Sequence, residues 1–151
     1  MILPHNAIIL VADGARMLVL RNDGDADTPS LVVLEHRETP VPYNRDLFAD
    51  APGRTFSSHS PTRSAYDHGD AHTAREHGFL AAAVASLTAH IAVDTPGIVI
   101  AADPASLGVI RQHYTPAITN LLLAEYGKDF TPMPVDEITR QLQQAELPLR
   151  R

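Results

Sequence analysis

The 151-residue chain contains no cysteine. That absence removes disulfides, thiol nucleophiles and thiolate metal sites together, and leaves histidine, aspartate and glutamate as the strong metal ligands. Positive charge is scarce as well. Twelve lysines and arginines stand against 18 aspartates and glutamates, a formal charge of −6 at pH 7 with histidine neutral. Such a chain has no global attraction for nucleic acid or an anionic membrane, so binding of that kind must come from a local patch. Long hydrophobic runs are missing too. The opening "MILPHNAIILVADGARM" has an apolar run broken by Asp13-Gly14 and no basic region before it. It resembles neither a signal peptide nor a spanning helix, and a cytoplasmic location without membrane contact is expected. There is no Walker A loop, no GxGxxG after a strand, no GxSxG elbow and no HExxH. No repeat, low-complexity segment or linker divides the chain, and with 44% hydrophobic residues its length suits one domain with a core, residues 1–151.

The periodicities order the elements. Ala7 to Ala12 and Ala15 to Arg21 are aliphatic and β-branched, separated by Asp13-Gly14, a dipeptide suited to the positive φ angles of a tight hairpin. After the turn cluster "NDGDADTPS", Leu31 to Glu38 reads as a third strand, half buried at its far end. From Thr39 to about Asp70 no apolar period is visible, and Pro40, Pro42, Pro52 and Pro61 forbid continuous helix or central strand, so a long loop over about 39–70 is expected. Thr73 and Glu76 have capping-box spacing for a helix whose core stripe is Phe79, Ala83, Leu87 and Ile91, with Leu80 and Val84 beside it. Ile98 to Ala102 is a short continuous apolar run, as in a strand covered on both faces. Asp103-Pro104 supplies a cap and first-turn proline for a helix to about Tyr114. Leu121 to Tyr126 reads as a fifth strand, with a short helix as the alternative, and Val135, Ile138 and Leu142 mark a last helix after Pro134. The order βββαβαβα predicts an α/β fold, a mixed sheet of ribonuclease-H-like topology with helices packed on it.

The segments "VADGARMLVLRN", "PGRTFSSHSPTRSA", "EHGF" and "KDFTPMPVDEI" together resemble the bacterial family named "protein required for attachment to host cells", over nearly the whole chain. That family in turn resembles the middle domain of archaeo-eukaryotic release factors and Pelota. In catalytic release factors the loop between the third strand and the first helix carries Gly-Gly-Gln followed by Ser-Ala and reaches the peptidyl-tRNA ester. Here Pro61-Thr62-Arg63 followed by Ser64-Ala65 stands at the matching place. The two glycines that permit close backbone approach, and the amide that places water, are absent. The resemblance therefore implies a binding factor of the translation apparatus without catalytic residues or cofactor, with the ribosome or tRNA as partner.

Residues of the same stretch give that reading a chemistry. Ala51 to Tyr66 holds Arg54, His59 and Arg63 and no acid until Asp67. Arginine makes bidentate contacts with phosphate, and Ser58, Thr62 and Ser64 add hydroxyl donors. The alternative is structural: Arg54 and Arg63 pair with acids such as Glu35 or Glu38 and pin the loop. The histidines suggest a second class, a metal-dependent hydrolase. On a helix beginning near Asp67, His68, His72 and Glu76 follow an i, i+4, i+8 course with His77 and Asp70 nearby; histidines on a solvated first turn are the competing account. A nuclease using Asp13, Glu76 and Asp103 is a further alternative, although Asp13 is explained as a turn residue and Asp103 as a helix cap. His5, His36, His90 and His113 read as structural or exposed. Lys128 and Asp129 read as a surface ion pair. A third class, suggested by the family's description, is a regulatory protein affecting attachment to host cells.

Overall fold

The computed structural model of the chain describes residues 2–39 and 61–145, with residues 61–70 described by backbone alone. Five strands form one open mixed sheet: β1 (Ile8–Ala12), β2 (Arg16–Asn22), β3 (Leu31–Glu38), β4 (Ile98–Ala102) and β5 (Leu122–Tyr126), in the spatial order β3-β2-β1-β4-β5. β1, β2 and β3 are antiparallel neighbours, whereas β4 runs parallel to both β1 and β5. The described residues also form four helices: α1 (Pro61–His90), α2 (Pro104–Arg111), α3 (Pro116–Leu121) and α4 (Val135–Gln144).

The two central strands explain their own composition. Every residue of β1 and β4 is buried, because helices cover both sheet faces, and a strand wet on neither face has no use for alternation. Ile8, Leu10, Ala12, Ile98, Ile100 and Ala102 pack on one side against Leu80, Ala83, Val84 and Leu87 of α1, Leu107 and Ile110 of α2, and Ile118 of α3. Ile9, Val11, Val99 and Ala101 point to the other side, where Leu3, Phe130 and Ile138 and Leu142 of α4 close the second core. Each such aliphatic side chain contributes about 1.5–3 kcal/mol by leaving water. Three helices thus cover one face and one helix the other.

Several boundaries depart from the sequence reading. The first helix begins at Pro61, twelve residues before Thr73, so the segment expected to be loop as far as Asp70 is helical from residue 61 on. Pro61 opens it, where a missing N–H costs nothing, and Ala65, Ala71 and Ala74 are strong helix formers. No apolar period marks residues 61–78, and none of the described side chains of residues 71–78 is buried. A short helix, α3, also stands between α2 and β5. Its Thr115 hydroxyl accepts from the Ile118 N–H and Pro116 opens its first turn, and α2 ends at Arg111, before Tyr114. β3 is buried only at its first residue, Leu31, and Val33 is 45% exposed, the reverse of the expected half-buried far end. The last helix starts after Pro134 as expected, without a side-chain cap.

The β1–β2 turn is held by a carboxylate rather than by glycine dihedrals. Asp13 Oδ1 accepts from the N–H groups of Ala15 and Arg16, each at 2.8 Å, and no described glycine has positive φ. At the opposite sheet edge, a bulge in β3 at Leu34 resets the pairing, so that Val19 faces Glu35 and Leu20 faces Val33. The extra residue turns both Leu34 and Glu35 toward α1. There Glu35 accepts from Ser86 at 3.1 Å and lies 3.0 Å from His90 Nε2, while Arg37 reaches it at 2.7 Å.

Candidate functional site

β1 passes the chain to β2 on one side, whereas β4 passes it through α2 and α3 to β5 on the other. The crevice outside the C-terminal ends of β1 and β4 is therefore where the connections part, the usual ligand position of an open α/β sheet. The parallel register pairs Ala12 with Ala102, which brings the next residues, Asp13 and Asp103, side by side at the sheet end. A cleft of about 340 Å³ opens there, lined by Asp13, Gly14, Ala15, Glu76, Asp103, Ala105, Ser106 and Asp129. Four carboxylates from four parts of the chain share it.

Each carboxylate has structural work. Asp13 Oδ2 accepts from the Arg16 guanidinium at 3.1 Å and shares the one Thr131 hydroxyl proton, also at 3.1 Å, with Asp129, in addition to the two backbone N–H groups on Oδ1. Burial alone would raise its pKa, but the two N–H groups, Arg16 and Thr131 together hold it below the usual carboxylate range. Asp103 Oδ2 caps α2 through the Ser106 N–H at 3.1 Å. Asp129 Oδ1 accepts from both the N–H and the hydroxyl of Thr131, at 2.9 and 2.6 Å. This local turn, and not a surface pair with Lys128, is what Asp129 makes. Glu76 Oε2 lies 3.1 Å from His72 Nε2, one helical turn back.

Glu76 enters the cleft directly over Gly14. A Cβ on Gly14 would stand 2.9 Å from Cγ, Cδ and Oε2 of Glu76, so any side chain at position 14 would oblige Glu76 to move from this place. On α1 the side chains at 72, 76, 80 and 84 form one stripe: Leu80 and Val84 are buried, His72 and Glu76 half-buried, and the other side chains of residues 71–78 exposed. The core-facing stripe thus changes from apolar to polar as α1 passes the end of the sheet.

The other expected site residues divide by position. Arg54, Ser58 and His59 lie outside the described residues. Thr62, Arg63 and Ser64 follow Pro61 in the first turn of α1, which contains no acid, so they open a helix instead of forming the tip of a loop. His68, His72 and Glu76 do share a helix with the expected spacing; among the described residues no group of three or more His, Asp or Glu side chains is placed to hold a metal ion. Glu35, expected as a pairing acid for the loop, is engaged by Arg37, Ser86 and His90, and Glu38 lies 3.9 Å from His36. His5 Nδ1–H donates to the Gly24 carbonyl oxygen, 2.7 Å away, and His113 is exposed.

Residues 8–142 match the family model described as "Protein required for attachment to host cells". The chain belongs to that family. The match runs from the first residue of β1 to the last buried residue of α4, so the cleft and both cores apart from Leu3 lie within the matched residues. No curated protein matches the chain. Thr131, Ser106, Asp129 and the close approach at Gly14 escaped the sequence reading. The Asp129-x-Thr131 spacing, which favours a side-chain-to-backbone turn, was the one local signal for them.

Proposed function

We propose that the chain is a non-catalytic binding factor of the host-attachment family that docks on structured RNA of the ribosome or on tRNA in the cytoplasm. The observation that carries this reading is the N-terminal half of α1. A helix of 30 residues is anchored from Phe79 onward, and none of the described side chains of residues 71–78 is buried. Its first turn holds Thr62, Arg63 and Ser64 and no acid. Helix N-termini favour phosphate through free N–H groups and the dipole, and an arginine with two hydroxyls beside them extends the same preference. The described side chains of residues 71–78 stand outside both cores, as a docking element requires.

The sheet order supports reading the domain as ribonuclease-H-like and related to the middle domain of release factors and Pelota. In that reading Pro61-Thr62-Arg63 takes the place of the reactive Gly-Gly-Gln. The commitment of Asp13 and Asp103 to a turn and a helix cap favours binding over carboxylate chemistry. No described helix is long and apolar enough to cross a membrane. Any influence on attachment would then be indirect, through translation of other proteins.

The test is sedimentation of lysate through sucrose at low salt, with wild type and with Arg54→Ala combined with Arg63→Ala. Wild type should travel with ribosomal particles and be released as salt rises, because phosphate contacts displace counterions. The double variant should remain at the top of the gradient with unchanged thermal stability. A wild type that never co-sediments removes the reading.

A further inference from the structure

We infer that Glu76 and Gly14 form a latch that sets the direction of the N-terminal half of α1, and with it the presentation of Thr62, Arg63 and Ser64. The part of this inference that concerns RNA rests on the function proposed above; the latch itself does not.

The anchoring of α1 is one-sided. Leu80, Ala83, Val84 and Leu87 are buried in the core, and Ser86 and His90 tie the last turns to Glu35 on β3. Toward the N-terminus the described side chains emerge from the protein, except on the stripe that contains His72 and Glu76. On that stripe Glu76 meets the β1–β2 turn. Three of its side-chain atoms occupy the space that any side chain at position 14 would fill. Arg63 lies thirteen residues up the helix, about 20 Å along its axis at 1.5 Å per residue. A small tilt at residue 76 therefore becomes a displacement of several ångströms at the docking turn.

The seat of the latch is rigid and its bolt is not. The turn carrying Gly14 is fixed by the two N–H bonds to Asp13 and, across the fold, by Thr131. Glu76, by contrast, is 42% exposed and shares its cleft with Asp13, Asp103 and Asp129. Packing on Gly14 and the contact with His72 hold it in place, while like charge in the cleft pushes it out. These opposed terms give an arm that is held but can be released, which suits an element that must fit a larger partner.

Hydrogen exchange on the full-length protein, free of RNA, tests the latch. In Gly14→Ala the added methyl displaces Glu76, and amides of residues 71–78 should exchange about fivefold faster, while peptides from β1 and β4 stay unchanged. Glu76→Ala should produce the same acceleration, and the double variant should be no faster than either single one, since both remove one contact. Unchanged exchange over 71–78 in Glu76→Ala, or effects of the two substitutions that multiply, would overturn the latch. If Gly14→Ala also loosens β1 and β4, Glu76→Ala alone decides. Binding of purified ribosomes and of bulk tRNA is the second measurement. Glu76→Ala should weaken it about fivefold, because a loosened arm must be ordered on binding. Equal affinity of wild type and Glu76→Ala would sever the latch from docking. A wild type that binds neither ribosomes nor tRNA would refute the proposed function and leave the exchange result to decide the latch.

Discussion

The one hydroxyl proton of Thr131 is shared between Oδ1 of Asp129 at 2.6 Å and Oδ2 of Asp13 at 3.1 Å, and this shared hydrogen bond ties the loop after β5 to the turn between β1 and β2. Asp13 thereby serves three parts of the fold: its own turn, Arg16 on β2, and the segment that leads into α4.

Asp13→Ala should consequently destabilise the domain by about 1–3 kcal/mol, the cost of leaving several partly buried donors without an acceptor. Thr131→Val, which removes one of those bonds, should cost about 0.5–1.5 kcal/mol. Denaturant unfolding at neutral pH measures both. The carboxyl of Asp13 is held below its ordinary 3.8 in the folded protein, so its contribution is complete above that value and is lost as pH falls through the lower, folded one. Wild type and Asp13→Ala should converge in stability only in strong acid.

Glu35 presents a milder case. His90 foremost, with Arg37 and Ser86 adding to it, holds its carboxyl below the ordinary 4.5, against burial, which is second in size and acts the other way. Glu35→Gln should cost at most about 1 kcal/mol at neutral pH, because water reaches and screens the group. With a depressed folded pKa the stabilisation is present above 4.5 and fades as acid carries the protein through the lower value. Thermal melts of the two proteins at neutral and acid pH give the comparison; a difference that grows on acidification would contradict the geometry.

Core truncations should separate by depth. Leu87 is fully buried, while Phe79 lies at the margin of the same cluster. Leu87→Ala should cost about 2–5 kcal/mol through lost burial and a cavity, and Phe79→Ala clearly less than Leu87→Ala. Equal losses in denaturant midpoints would mean that Phe79 is more deeply packed than its surroundings indicate.

Purified protein should release no formyl-methionine from programmed ribosomes above the buffer rate. Pro61 fixes one backbone angle, Thr62 lacks the freedom of glycine, and Arg63 is a permanent cation in place of a neutral amide. Helical geometry from residue 61 further opposes an extended approach to an ester. Release well above buffer, abolished by Arg63→Ala, would refute this.

Metal content supplies another check. After chelation and dialysis the protein should retain no stoichiometric Zn²⁺ or Mn²⁺. Retention of one such ion, lost in His72→Ala, would favour the hydrolase reading instead.

How much of this was legible in the sequence depended on what each residue touches. β1, β2, β4 and α4 were readable because burial imposes a period or a continuous apolar run, and Asp103-Pro104 announced its helix by local capping chemistry. The N-terminal half of α1 was not, because periodicity records burial and none of the described side chains of residues 71–78 is buried. Thr73 and Glu76 imitated a capping box inside a helix already under way. α3 carried a usable signal in Thr115-Pro116, obscured by the apolar run that follows it. Asp13, Glu76 and Asp103 could be picked out individually, but Asp129 joins them only through the turn after β5, and the close approach at Gly14 comes from a side chain sixty-two positions away.

The pairing of β1 with β4, Ile8 beside Ile98 through Ala12 beside Ala102, also has a bearing on how the protein is made. During synthesis the β1–β2–β3 meander leaves the ribosome long before β4 exists. For that interval one whole edge of β1 has no hydrogen-bond partner, and its residues are all apolar. A wholly hydrophobic strand with an open edge is a template for pairing with other chains. Production of this domain should therefore be sensitive to elongation speed, temperature and chaperone supply, and substitutions in β4 that barely disturb the finished fold should still lower the yield of soluble protein.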